Sequence, residues 1–192
     1  MHINNIVKNN RSYRRFRRDQ VIAEETLLEL IELARISPSG RNQQALKFVP
    51  MYCKKTADRL FPALKWAGFI EGWGGPSEEE RPPSYIMILG DTTLTDNFYC
   101  DHGIAAQSIL LGAVEKGLGG CILGALNHDM IRKEFSIPDH LEILLVLAIG
   151  KPSEKVVIEE MRDNDIKYYR DEENVHHVPK RRLEDIIIEF DT

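Results

Sequence analysis

Three cysteines among 192 residues, Cys53, Cys100 and Cys121, are too few and too widely spaced for a disulfide framework or a Cys-x-x-Cys site. Free thiols in a reducing compartment suit them better. Long apolar runs are missing as well. The longest, Ile143 to Ile149, falls far short of the roughly 20 residues a membrane-spanning helix needs. The first residues hold no apolar stretch of signal-peptide length, so the expected location is the cytoplasm. Neither internal repeats nor low-complexity tracts occur. No Ser/His/Asp set stands out, and His176-His177 has no partner at a metal-ligand spacing. Glu78-Glu79-Glu80 and Glu172-Glu173 read as solvated loops. A chain that displays no acid, base, nucleophile or metal set of its own points to chemistry carried by a cofactor.

What the sequence does hold is enough apolar material, 43%, for a real core, which excludes a disordered chain. Net charge is −5, against the basic footprint of a nucleic-acid binder. That average hides an asymmetry. Residues 1–18 carry Lys8, Arg11, Arg14, Arg15, Arg17 and Arg18 and no acid, leaving 19 cations against 30 acids, or −11, in the remainder. Such a cluster holds something anionic or braces an acidic surface of its own; read as an electrostatic arm, it is the one feature that would suit nucleic acid.

Apolar periodicity predicts a short first helix through Ile3, Ile6 and Val7, ending near Asn9-Asn10, and a stronger one from Thr26 to Ile36. The latter stops at Ser37-Pro38-Ser39-Gly40. A strand is expected over Phe48 to Cys53, a helix over Lys54 to Leu60, and a loop over 66–83 containing Trp66, Phe69 and Trp73. Tyr85 to Leu89 reads as a buried strand, and Asp101 to Lys116 as a helix apolar nearly all round, hence central. Cys121 to Leu123, His128 to Phe135 and Ile143 to Ile149 follow as strand, helix and buried strand. Without a strict βαβ rhythm, these elements predict one α+β domain, 1–192, with a sheet packed on a central helix. Segment 153–192 is a polar extension whose apolar end, Leu183 to Phe190, is expected to close on its own sheet edge or on that of a partner.

Four segments could carry a site. Arg11-Ser12-Tyr13-Arg14-Arg15-Phe16 places guanidinium forks around a hydroxyl, as paired phosphate oxygens require; a solvated basic face is the plainer alternative. Val178-Pro179-Lys180-Arg181-Arg182-Leu183 is a second basic cluster at the far end of the chain, unrelated to the first or closing with it on one dianion. Ser37-Pro38-Ser39-Gly40-Arg41-Asn42-Gln43-Gln44 is either a helix stop with a turn or an amide-rich edge able to read a heterocycle. Gly117-Leu118-Gly119-Gly120-Cys121-Ile122-Leu123-Gly124 fails as a dinucleotide fingerprint, having Ile122 where the third glycine belongs and a helix in front of it. It remains a Gly-rich run into a strand, with a close backbone approach possible at Leu123-Gly124.

Taken in order, these four segments resemble the flavin-dependent nitroreductase family, and they span nearly the whole chain. The resemblance implies a nitroreductase-like α+β fold, a mainly antiparallel sheet around a buried helix, and an intertwined homodimer with two FMN sites at its interface. Arg11 and Ser12 map to the FMN phosphate, Arg14 to the ribityl and pyrimidine side, and Lys180 and Arg182 to the pair that closes on the phosphate. Pro38, Ser39, Gly40, Asn42 and Gln44 map to contacts made from the partner subunit. Backbone N–H groups of Leu123 and Gly124 map to flavin N5 and O4, and Lys65 to the positive group near N1 and O2. No side chain is implied as catalytic and no metal is implied. The implied activity is that of an oxidoreductase: NADH or NADPH reduces FMN, and the flavin then reduces a nitroaromatic, a quinone or a related small acceptor by a ping-pong mechanism. Flavin chemistry of another kind (dehydrogenation, dehalogenation or flavin breakdown) is the alternative; nucleic acid and membrane are not expected partners. Asn10 stands where many members carry Arg, Ala45-Leu46 where many carry Pro-Trp, and loop 66–83 departs from the longer helical excursion of larger members.

Overall fold

Strand β2 (Ser84–Asp91) is buried at every position, so both faces of the sheet that contains it must be covered. In the computed structural model, which describes residues 2–190, they are. The sheet comprises β1 (Leu46–Met51), β2, β3 (Gly119–Leu123) and β4 (Leu141–Gly150) in the order β1-β2-β4-β3, all neighbours antiparallel. Side chains alternate across a strand. Ile86 and Ile88 of β2, with Leu147 and Ile149 of β4, meet Ala105, Ala106, Ile109 and Ala113 of the central helix α4 (Asp101–Glu115). Helix α2 (Glu24–Arg35) closes that layer through Leu27 and Leu30. It lies so near α4 that a Cβ on Gly112 would come within 2.3 Å of Leu33 Cδ1. On the other face Tyr85, Met87 and Leu89 pack with Phe16, Leu60 of α3 (Lys54–Leu60) and Ile131 of α5 (His128–Phe135).

This is the expected α+β arrangement, a mainly antiparallel sheet on a buried helix. Helices α3 and α5 have the expected bounds, and the other elements shift by a few residues. Helix α1 (Ile3–Asn9) forms, yet Ile3 and Val7 of its apolar stripe remain exposed.

Two features go beyond the sequence reading. The polar extension builds a second sheet, β5 (Val156–Glu160), β6 (Tyr169–Arg170) and β7 (His176–Lys180), ordered β5-β7-β6, with β5 parallel and β6 antiparallel to β7. Its strands are short and half polar, which hid them. Leu183–Phe190 does not return to a sheet edge of its own chain; it makes a 3-10 turn at Leu183–Ile186 and stays exposed, Phe190 at 82%. The expected single span, 1–192, extends beyond the described residues at both ends.

Candidate functional site

The first basic segment is laid along the main sheet. Ser12 forms a parallel bridge with Gly120, Tyr13 N donates to Gly120 O at 3.0 Å, and Arg17 N donates to Lys151 O at 2.8 Å. Phe16 is buried at the far end of the strip and anchors it. The glycines of the Gly-rich run make room: a Cβ on Gly119 would fall 2.6 Å from Tyr13 Cδ2, and one on Gly120 would fall 2.4 Å from Ala148 O. They serve the chain's own packing. Gly124 differs, because a Cβ there would meet only Leu145 at 3.7 Å.

The second sheet supplies the opposite wall. With a period of two, His176, Val178 and Lys180 share one face of β7, and all three line a cleft with Arg11, Ser12 and Arg14. Asn10 and Tyr168 complete it, enclosing about 240 Å³. The lining holds three permanent cations and no carboxylate, so the cleft attracts an anion. Arg11 Nη2 donates to Val7 O at 2.9 Å, whereas its buried Nε has no partner among the described residues. Arg14 Nη1 donates to Ser12 O at 3.2 Å and lies 3.2 Å from His176 Nε2; its guanidinium carbon sits 4.7 Å from the Tyr168 ring centre. Burial above all, then the neighbouring Arg14, Arg170 and His177, pushes His176 down to about 4, so the imidazole is neutral.

Glu154 locks the two walls together. Its carboxylate accepts from the backbone N–H of Arg14 and of Arg15 (3.1 Å) and from Arg170 Nη2 of β6 at 2.9 Å. Arg170 and Arg15 in turn lie 4.4 and 6.0 Å from the Trp73 ring centre, and Phe69 packs on Tyr168 with ring centres 5.1 Å apart. Loop 66–83 is thereby pinned to the second sheet. Trp66 is buried beneath it, stacked on Phe61 at 5.9 Å, which leaves Phe69 as the exposed aromatic of the three in the loop.

Arg11, Ser12, Arg14 and Lys180 therefore come together across nearly the whole length of the chain. Arg182 does not join them; it pairs with Glu184 at 2.7 Å and Asp185 at 3.0 Å in the following turn. Pro38, Ser39 and Gln44 line a separate cleft with Asp101 and Leu46, which shares no lining residue with the first. There Gly40 N donates to Asp101 Oδ1 at 2.8 Å, and Gln44 Nε2 donates to Asn42 O at 3.3 Å. Arg41, Asn42 and Gln44 all have φ near +55°, a costly run of left-handed non-glycine residues of the kind found at ligand clamps. Lys65 N donates to Ala125 O at 3.1 Å, which sets Lys65 beside the end of β3, next to Leu123 and Gly124, with its side chain exposed. Sequence reasoning missed Tyr168, His176, Glu154 and Arg170. The alternation His176-x-Val178-x-Lys180 was the available signal for one of them.

A mainly antiparallel sheet on a buried helix, edged by a cationic cleft free of carboxylates, defines an α+β protein equipped for an anionic small molecule. The model of the nitroreductase family matches residues 7–151. A putative NADH dehydrogenase/NAD(P)H nitroreductase from Methanothermobacter thermautotrophicus is 25% identical over 166 residues, covering 83% of this chain and 82% of that protein. Among solved structures, a nitroreductase family protein from Clostridium difficile 630 is 26% identical with a TM-score of 0.65, covering 80% of this chain and 86% of that one. An FMN-dependent nitroreductase from Clostridium difficile R20291 is 25% identical with a TM-score of 0.63, covering 83% and 91%. The chain belongs to the nitroreductase family, and it is an oxidoreductase.

Proposed function

We propose that this oxidoreductase binds FMN, takes reducing equivalents from NADH or NADPH, and delivers them in ping-pong order to a nitroaromatic, a quinone or a related small acceptor. The observation that carries the reading is the cleft of Arg11, Ser12, Arg14 and Lys180. Its donor set suits a phosphomonoester dianion, and the buried, unpartnered Nε of Arg11 is an orphan donor that an anion would satisfy. FMN, when bound, supplies the hydride chemistry that no side chain here can perform.

The chain's own residues bind and orient. Arg11 and Lys180 neutralise the phosphate, and Ser12 adds a neutral donor. Arg14, already tied to the Ser12 carbonyl, offers its remaining N–H groups to the ribityl and pyrimidine side. Leu123 and Gly124 present backbone N–H groups to the flavin edge; the open space around Gly124 supports a ligand lying against it. Lys65, held beside them, supplies positive charge where the reduced ring gains negative charge. The separate cleft of Pro38, Ser39 and Gln44 supports a homodimer in which Pro38, Ser39, Gly40, Asn42 and Gln44 reach the partner's FMN. For Arg182 the same role requires its carboxylate pairs to be exchanged for the phosphate.

The test is the absorption spectrum of the purified protein. A flavin spectrum that bleaches anaerobically with NADH or NADPH and returns on adding a nitroaromatic or quinone is expected. Arg11→Ala should weaken FMN binding by about 1.5–3 kcal/mol, the usual loss for a hydrogen bond to a charged group. A colourless protein that takes up no added FMN would sink the proposal.

A further inference from the structure

His176 lies outside the motifs that carry the family resemblance, yet it is 1% exposed and lines the cleft. A guanidinium has five donors and no acceptor, so the 3.2 Å contact between Arg14 Nη1 and His176 Nε2 is a hydrogen bond only when Nε2 presents its lone pair. The ring proton must then sit on Nδ1. Nδ1 is buried and without a partner among the described residues, which leaves Arg14 as the ring's hydrogen-bond partner. The charged groups around the ring, Arg14, Arg170 and His177, all disfavour a second proton. Nη1 carries two hydrogens, and with the ring in that tautomer both are used, one on the Ser12 carbonyl and one on His176. Nε and Nη2 are left over. The Tyr168 ring lies beside both partners, 4.7 Å from the guanidinium carbon and 5.2 Å from the imidazole centre.

We propose that His176 is a positioning residue of the cleft: as a neutral hydrogen-bond acceptor it fixes the Arg14 guanidinium before the ligand arrives, leaving the Nε and Nη2 donors for FMN. The inference rests on the reading of this cleft as the FMN site. Its physical content is preorganisation, since a long side chain already ordered in the free protein loses less freedom on binding.

Two measurements test it. Long-range ¹⁵N–¹H correlation of the histidine rings in the purified protein near pH 7 should show His176 as the neutral Nδ1–H tautomer. FMN dissociation constants, from quenching of flavin fluorescence, should be compared for wild type, His176→Phe, His176→Gln and Arg11→Ala. His176→Phe keeps a ring beside Tyr168 and removes the acceptor, so binding should weaken about three- to tenfold, the worth of one hydrogen bond. His176→Gln returns an acceptor oxygen and should recover to within about twofold of wild type. An Nε2–H tautomer or an imidazolium would overturn the proposal, and so would wild-type affinity in His176→Phe while Arg11→Ala binds poorly. Wild-type affinity in Arg11→Ala would instead overturn the FMN reading, with the tautomer still deciding the Arg14 contact. Should His176→Phe fail to fold, the tautomer together with His176→Gln decides.

Discussion

Glu154 shows what one side chain can hold together. Its side chain is 2% exposed and that of Arg170 is 9%, so this ion pair is removed from water. Such a pair depends on its remaining hydrogen-bonding capacity being met; two backbone N–H groups meet that of the carboxylate, while Arg170 Nε has no partner among the described residues. Glu154→Ala would strand Arg170 and both amides, and should cost about 3–5 kcal/mol in chemical denaturation. Glu154→Gln keeps an acceptor and should cost less; an unchanged denaturation midpoint in Glu154→Ala would refute the account. The first basic segment divides between ligand and protein. Arg15 pairs with Glu80, Arg17 with Asp19 and Arg18 with Asp58, as an acidic remainder leads one to expect. Arg11 and Arg14 face the cleft. Glu154 was not legible, because Ser153-Glu154-Lys155 looks like any solvated loop until the second sheet covers it.

At the scale of elements, β7 carries two environments. Whereas His176 faces the cleft, His177 points the other way, with Nδ1 3.0 Å from Glu159 and Nε2 3.0 Å from Asp171, and its ring stacks on Tyr169 at 4.8 Å. Hydrogen bonding to Asp171 first, then to Glu159, raises the His177 pKa, and the bond from His177 lowers that of Asp171. The charged imidazole therefore favours the folded sheet. Its contribution is complete below about pH 6.5, the unfolded value, and is lost as pH rises through the raised folded value. The contribution of Asp171 is present above about pH 3.9 and is lost as pH falls through its depressed folded value. The clip is thus strongest between about pH 4 and 6.5. Amide exchange in β6 and β7, corrected for intrinsic rates, should show more frequent opening at pH 8 than at pH 6, and His177→Gln should remove the difference. Equal protection at both pH values would count against the clip. Local signals explain which elements the sequence disclosed. Helix α5 begins at Asn127, whose side chain accepts from Met130 N, and α3 runs into Phe61-Pro62. The second sheet offers no such signal: β6 is two residues long, and Pro179 removes a ladder donor from β7.

For the whole molecule, the segment Leu183 to Phe190 stands out among the described residues, with Leu183, Ile186, Ile187, Ile188 and Phe190 all exposed. Five large apolar side chains left in water, interrupted by Glu184, Asp185 and Glu189, suit an interface, and the proposed homodimer would place the second copy over them. A chain ending at Arg182 should sediment as a monomer and lose FMN. A truncated protein that remains dimeric and retains flavin would remove the segment from the interface. Sequence could suggest that two basic clusters meet on one ligand, because both have donor chemistry of the same kind. The resemblance set the amide-rich turn apart from them as a partner-subunit contact; residue spacing alone could not show that it lines a different cleft, because that separation depends on how α2 and α4 pack.

The cleft also has a consequence for the order in which the protein is made. Arg11 precedes the main sheet in sequence and Lys180 follows it, so the cleft is a contact of very high sequence separation, closed by the second sheet. The main sheet and its helices are complete in sequence by Gly150, well before β7 has been synthesised. Cofactor capture by the proposed site therefore waits until β7 has been added after the main sheet. If the cleft is the flavin site, abundant flavin stabilises a chain that includes β7 by mass action and cannot rescue one that stalls before Lys180.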